Sequence, residues 1–442
     1  MRQVIVWMAA AVIAATGLST TAAHAQTLRE SLEGVFNNVL DLQLGGPPGT
    51  EHGDHFKPDN VSTSAQVIDA LSSFISANAS TYPLSSTTSG LTFDLSSGVP
   101  VAATTSAGPI FVEQARTLGR GMLSFGGTVS YLNLDKLRGV RTEDLHFGFT
   151  HEDVGLAGLG DSPNEYDYID MTMHLDINAT VAALHATYGV ADRLDLGIAI
   201  PIVNVTIKAS PWARMNSYTY ASTGTANHFF GGTETAPQLS YSPTPLDESK
   251  TGIGDIALRA KAYAYAGTNC DVGFLAEARL GTGKEDDFLG SGATDIAGTV
   301  LFSGHWGNIN PHANLGYRHR GSDLERDDIE LAFGYDHKAS DKLTLAVEWI
   351  GQLEIGDQID ELKFPGLIPV GEYEVDGKTY AKEYISPSNI PDRAKDNLLN
   401  GAIGLKYSPN PNIVFLANVL LPLNDGGLRS SCVPTIGLSY NL

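Results

Sequence analysis

The chain has 442 residues, with 28 Lys and Arg against 50 Asp and Glu, a net charge of −22 and 47 glycines. An acid excess without a clustered basic surface excludes phosphate-backbone binding, so no nucleic-acid partner is expected; two cysteines are too few for a disulfide scaffold or a thiolate metal site. A mean hydropathy of −0.06 excludes a bundle of membrane helices but not a membrane β-barrel, whose alternating strands average to neutral.

Arg2, the apolar run Val4 to Leu18 and the small-x-small triplet Ala23-His24-Ala25 read as a cleaved signal peptide over 1–25. The run is shorter than the roughly 20 residues of a membrane span. The mature chain is then expected to start near Gln26 and to be exported. In 27–44, Leu28, Leu32, Val35, Phe36, Val39 and Leu40 recur at helical spacing, and Gly45-Gly46-Pro47-Pro48 ends the helix. Ala65, Ile68, Leu71, Phe74 and Ile75 predict a second helix over 64–77; residues 78–108, rich in Ser, Thr and Gly, read as irregular. Residues 26–120 are expected to form a plug or periplasmic segment, with a partly disordered leader as the alternative.

From residue 121 the period changes to two. In 271–280, Val272, Phe274, Ala276, Ala278 and Leu280 face one way, and Gly273, Leu275, Glu277 and Arg279 the other. In 327–337, Ile329, Leu331, Phe333 and Tyr335 alternate with Asp328, Glu330, Gly334 and Asp336; in 342–354, Leu343, Leu345, Val347 and Trp349 alternate with Thr344, Glu348 and Gln352. Similar runs lie at 122–134, 142–150, 168–189, 193–207, 252–266, 294–306, 309–319, 397–408, 411–424 and 430–442, each of about the length a tilted transmembrane strand needs. Tight turns at 190–193, 267–270, 307–308, 339–341 and 408–411 contrast with long polar loops at 208–250 and 355–396. Short turns at one end and long loops at the other are the organisation of an outer-membrane barrel.

The predicted fold is therefore all-β: a transmembrane antiparallel β-barrel over 121–442 with a partly helical N-terminal segment. Thirteen runs must resolve to an even number, so 14 strands are expected, with 12 as the alternative. The extra strand would lie around 109–115, or arise from a bend at Asp176-Ile177-Asn178 that splits 168–189. In 193–207 the apolar face passes from Leu194, Leu196, Ile198, Ile200 and Ile202 to Val203, Val205 and Ile207; Pro201, which cannot donate to a ladder, predicts a bulge or bend there. Loop parity places Cys270 at the short-turn end and Cys432 near the long-loop end. About 25 Å of membrane separates those ends, so the two cannot bridge.

Three stretches carry a family resemblance: Gly108 to Gly126 (GPIFVEQARTLGRGMLSFG), Ala186 to Pro201 (ATYGVADRLDLGIAIP), and Thr251 to Ile256 (TGIGDI) followed by Arg279 to Gly283 and Leu289 to Gly292. Over roughly 108–442 the chain resembles the outer-membrane family named for the meta-pathway of phenol degradation, itself similar to the long-chain fatty-acid transporters of the outer membrane. It departs from that pattern at Gly281, where the family usually has Pro. The resemblance implies a channel for small hydrophobic or aromatic compounds with an N-terminal plug inside the barrel.

With the apolar face on lipid, the lumen-lining candidates are Asp255, Arg259, Lys261, Glu277, Arg279, Arg318, Glu330, Asp336 and Glu348, with Glu354 beyond them. They would form either a polar path or a set of cross-barrel ion pairs that hold the plug; ion pairing is the commoner use of such groups. Trp306, Trp349, Tyr317, Tyr335, Phe415 and Tyr440 suit interfacial girdles.

No catalytic set, cofactor or metal site emerges. Gly281-Thr282-Gly283-Lys284 lacks the first glycine of a phosphate loop and is followed by Glu285. His52-Gly53-Asp54-His55 has ligand types but no third ligand nearby, and no spacing pairs a serine with His146 or His151. The loop 355–396, with nine Asp and Glu against five Lys and Arg, is either a solvated loop or a cation bridge to lipopolysaccharide. The expected function is passive uptake of small hydrophobic solutes across the outer membrane, with membrane lipid and lipopolysaccharide as surroundings; a water-filled general porin and a structural or enzymatic barrel are the rivals.

Overall fold

The computed structural model describes residues 26–44, 55–81, 93–94, 101–102, 107–151, 166–323, 325–356, 362–364 and 366–442. The signal peptide expected at 1–25 lies outside them.

Twelve antiparallel strands close into a barrel. They are β1 (Leu123–Leu137), β2 (Tyr168–Ala191), β3 (Leu194–Asn216), β4 (Ile256–Ala266, preceded in the same position by Leu246–Ile253), β5 (Cys270–Leu280), β6 (Asp295–Gly304), β7 (Ile309–His319), β8 (Asp328–Lys338), β9 (Leu343–Glu354), β10 (Leu398–Asn410), β11 (Ile413–Pro422) and β12 (Val433–Asn441). The last strand returns to the first through Thr435↔Ser130 to Asn441↔Ser124. The Leu123 and Leu442 backbones then exchange hydrogen bonds of 3.1 and 2.8 Å.

Twelve is the smaller of the two numbers weighed from the sequence. The run 142–150 makes no separate crossing. Its strand, Leu145–Thr150, pairs with β2 at 168–173, while β1 pairs with β2 at 178–188, so the two share one position in the wall. No strand forms at 109–115, and β2 runs unbroken through Asp176-Ile177-Asn178.

The predicted faces are those observed. Phe274, Phe333, Tyr335, Leu345, Val347, Ile403 and Leu438 lie exposed on the outer surface, where lipid would cover them. Of the aromatics proposed as girdles, Trp306, Tyr335, Phe415 and Tyr440 lie toward the short-turn end and Tyr317 toward the other; Trp349 sits between, stacked on Phe333 at 5.8 Å.

The phase change near Pro201 has a different origin from a break in its own strand. β3 keeps its register with β2 through Ala183↔Pro201. The irregularity is in the neighbour: between Ile253↔Ile202 and Ala257↔Ala199, the strand position of β4 carries one extra residue. Gly254 N–H there donates to the Pro201 carbonyl at 2.9 Å. Beyond this level what lies on each face inverts. Outward residues of β2 change from Leu184, Ala186 and Tyr188 to Asn178, Asp176 and His174, while inward Val181, Ile177, Leu175, Met173 and Met171 become fully buried. The strands leave the apolar belt at this height, water replaces lipid outside, and the inner face turns apolar because two helices fill it.

Those helices are α1 (Leu28–Asn38) and α2 (Lys57–Thr81). A capping box starts α1: the Thr27 side chain accepts from Glu30 N–H while the Glu30 carboxylate accepts from Thr27 N–H. The helix stops at Asn38, short of the predicted 44, and α2 is longer than predicted. Leu28, Leu32, Val35 and Phe36 of α1 and Val67, Ile68, Leu71 and Ile75 of α2 join one core with the inner faces of β1, β2 and β3. Each such side chain, fully removed from water, contributes about 1.5–3 kcal/mol, which fixes the helices at the long-loop end.

Cys270 begins β5 at the short-turn end, Cys432 immediately precedes β12 at the other, and both are free thiols.

Candidate functional site

Residues 107–122 cross the short-turn end of the barrel as an irregular strap. Wall side chains hold it by its backbone. Glu348 of β9 accepts N–H groups from Ile110, from Phe111 at 2.7 Å and from Val112 at 3.2 Å. Lys406 of β10 donates to the carbonyls of Ala107 (3.2 Å) and Pro109. Further along, Ala115 N–H donates to Ser303 Oγ at 3.0 Å, and Leu118 N–H to Asp195 Oδ2 at 2.9 Å. Arg116 pairs with Asp271 at 2.6 Å. An extended segment has no internal ladder for its polar groups, so a buried one must be satisfied by the wall. Ile110, Val112, Ala115 and Leu118 are buried beneath it.

Above the strap, inward side chains of β4 to β8 form a ladder of ion pairs. Register puts Arg259, Glu277, Ala297 and Arg318 in one row across four strands. Arg259 Nε lies 2.7 Å from Glu277, and Arg318 reaches Glu277 at 2.9 Å across the small Ala297. Arg279 adds 3.0 Å to the same carboxylate, and Arg318 also holds Glu330 at 2.8 Å. The strap enters through Glu113, 3.3 Å from Arg259 and 3.6 Å from Lys261. Buried charges persist only when paired in this way.

The remaining predicted lumen residues act elsewhere on the inner surface. Asp255 accepts N–H from Gly283 (2.9 Å) and Ser291 (2.8 Å), so the glycine-rich loop that failed as a phosphate loop folds around a carboxylate. Asp336 lies 3.2 Å from both Asn310 Nδ2 and His312 Nε2, and Glu348 anchors the strap. Glu354 pairs with Arg326 at 3.1 Å near the far end. Beside it Arg320 is held by Asp295, Glu325 and Asp328. Burial pushes the carboxyl of Glu325, in the loop after β7, up to about 6.

Between strap and ladder lies a cavity of about 130 Å³. Phe111, Leu275, Ile350 and Leu420 give it apolar walls; Glu113, Arg259, Arg318 and Asn314 give it a polar side. A smaller one, about 40 Å³, lies beside Phe74 and Asn78 of α2, and Gln352 lines both. Ala297 and Thr299 of β6 are the short side chains that leave the larger space open.

Sequence reading found the wall charges but not their partner Glu113, which lies in the strap. It also missed a group at the long-loop end. His55, His151 and His228 come together with their ring nitrogens within 4.8 Å of one another. Of the run His52-Gly53-Asp54-His55 only His55 lies among the described residues, and the fold brings His151 and His228 to it.

Residues 164–361 match the family described as "Putative MetA-pathway of phenol degradation". Of the stretches on which the resemblance rested, that span contains those at 186–201, 251–256 and 279–292, while Gly108 to Gly126 lies outside it. No curated protein matches the chain. Among solved structures, an outer-membrane channel from Pseudomonas putida F1 is 11% identical with a TM-score of 0.40, covering 74% of this chain and 98% of that one. A Pseudomonas aeruginosa FadL homologue is 12% identical (TM-score 0.31; 73% and 90% covered). The P. putida toluene transporter TodX is 9% identical (TM-score 0.30; 73% and 89% covered).

Proposed function

We propose that this chain, matching the phenol-degradation family over residues 164–361, is an outer-membrane channel for passive uptake of small aromatic or hydrophobic solutes, exported by a cleaved signal peptide. The observation that carries the reading is the cavity between strap and ladder. Its volume of about 130 Å³ is close to the roughly 150 Å³ apolar cavity that takes up benzene. Phe111, Leu275 and Ile350 supply contact area for a ring, and the ladder beside them supplies donors and acceptors for one polar substituent. A wide water-filled porin would have no reason to cross its lumen with a strap fixed at Glu348, Ser303 and Asp195.

In this reading residues 26–120 are the plug. Helices α1 and α2 occlude the long-loop mouth against β1–β3 and the loop after β5, leaving as the path the narrow gap between α2 and the ends of β7–β10. The solute enters beside α2, passes Gln352 into the cavity, and leaves when the strap shifts from its anchors. Nothing in the cycle consumes energy, so flux follows the gradient. The wall charges serve as paired ladder and strap anchor, and the outer loops face lipopolysaccharide.

The test is entry of phenol, against a charged sugar of similar size, into liposomes containing refolded residues 26–442. Faster phenol entry than in empty liposomes, with the sugar excluded, supports the reading. Equal acceleration of both would make the protein a general porin, and entry of both no faster than into empty liposomes would remove transport altogether.

A further inference from the structure

The imidazole cluster lies apart from the lumen ladder. His55 lies two residues before α2, His151 directly follows the strand Leu145–Thr150, and His228 belongs to a short strand that pairs with the N-terminal segment through Leu44↔His228. His55 Nδ1 is 2.8 Å from His151 Nε2. His228 Nδ1 is 2.7 Å from Asp167 Oδ2. Asp167 is itself fixed by the Ser217 hydroxyl at 3.1 Å and the Tyr218 N–H at 2.6 Å. His151 and His228 are 8% and 2% exposed, and Phe56 stands edge-on to both, with ring centroids 5.2 and 5.3 Å away.

We propose that His55, His151 and His228 form a zinc site that clasps the start of α2 to the loops of the long-loop end. Each of the three rings places one nitrogen within 4.8 Å of the other two, a spacing that a single bound cation can bridge. The Asp167 carboxylate accepting from His228 Nδ1 leaves the Nε2 lone pair turned toward the other rings. That carboxylate–histidine arrangement is the usual support of a metal-bound imidazole. Zinc takes imidazole nitrogen at about 2.0–2.1 Å in a tetrahedron, which small side-chain rotations within the 4.8 Å cluster can reach. An all-nitrogen set rejects calcium and magnesium, which take oxygen ligands. Three imidazoles leave the fourth position to water. The three ligands come from three separate segments, so the ion would cross-link the N-terminal segment to the barrel at a point where strand pairing is only two residues long.

The experiment uses refolded residues 26–442, stripped with a chelator, desalted, and dialysed against buffered micromolar zinc, with bound metal counted by elemental analysis. One zinc per chain is expected, with a higher melting temperature than the stripped protein. His151→Ala and His228→Ala should abolish stoichiometric binding, and Asp167→Asn should weaken it roughly 10–100-fold. His174→Ala, on the outer face, should leave it unchanged. Folded wild-type protein that binds no stoichiometric zinc, or that takes copper or nickel but not zinc, overturns the proposal. So does undiminished binding in the folded His151→Ala or His228→Ala variants. The wild-type stoichiometry decides the matter even where a variant fails to fold.

Discussion

Glu348→Ala should free the strap. The carboxylate is 3% exposed and accepts three consecutive backbone N–H groups, from Ile110, Phe111 and Val112. Alanine leaves all three without their acceptor. At about 1–3 kcal/mol for each buried group left unsatisfied, the docked strap loses at least roughly 3 kcal/mol. Each 1.4 kcal/mol is a factor of ten, so the undocked population rises by about 100-fold or more. The barrel itself should survive, because the β8–β9 and β9–β10 ladders do not use this side chain. Limited trypsin digestion at Arg116 and Arg120 from the short-turn side reads the undocking, and single-channel recording reads the openings. Faster cleavage and more frequent openings are expected in Glu348→Ala, with a smaller effect in Glu348→Gln, which keeps a carbonyl acceptor. Wild-type cleavage and wild-type current in a folded Glu348→Ala protein would refute the anchoring argument.

Four further outcomes follow from the geometry. Asp396→Asn should destabilise the long-loop end by about 3–5 kcal/mol, because it leaves Arg138, 2.7 Å away and 5% exposed at the side chain, as a buried unpaired cation; urea unfolding of the refolded barrel measures it. Leu315→Arg, placed mid-strand on the lipid face at 56% exposure, should cost about 2–4 kcal/mol in lipid, again read by unfolding. The hydrogen bond from His146 to Asp170, 2.9 Å away, raises the His146 pKa above 6.5. Its stabilisation is therefore complete below pH 6.5 and is lost as pH rises through the folded value, so His146→Gln should lower the melting temperature at pH 5.5 and leave it unchanged at pH 9. A membrane-impermeant maleimide applied to whole cells should label Cys432, which is exposed at the long-loop end, and spare Cys270 at the other; the reverse pattern would invert the topology.

The wall was legible because a lipid-facing strand must alternate. Val272 to Leu280 and Leu343 to Trp349 declare their faces with no tertiary information. The strand number was less legible, since 142–150 alternates like a crossing and only pairing shows that it continues the position of β1. The Pro201 phase change was seen but assigned to the wrong strand. A proline fixes what its own residue cannot donate, whereas the extra residue that accommodates it, at Gly254 to Ile256, lies in the neighbour. The strap could not be read as such: 109–115 was weighed as a strand, yet the N–H groups of Ile110, Val112, Ala115 and Leu118 go to side chains from β9, β6 and β3 rather than to a ladder. The imidazole cluster left only a partial signal: His55 stood in a run of ligand types, but His151 and His228 lie far along the chain and converge on it only when the N-terminal segment docks.

The central claim is a barrel closed at rest by its own N-terminal segment, and planar-bilayer conductance tests it most directly. Refolded residues 26–442 should show no large steady current. Residues 108–442, with α1 and α2 removed, should conduct, and should conduct more steadily when Glu348→Ala also frees the strap. Large steady conductance from residues 26–442, unchanged by the deletion, would contradict the account and leave an open porin.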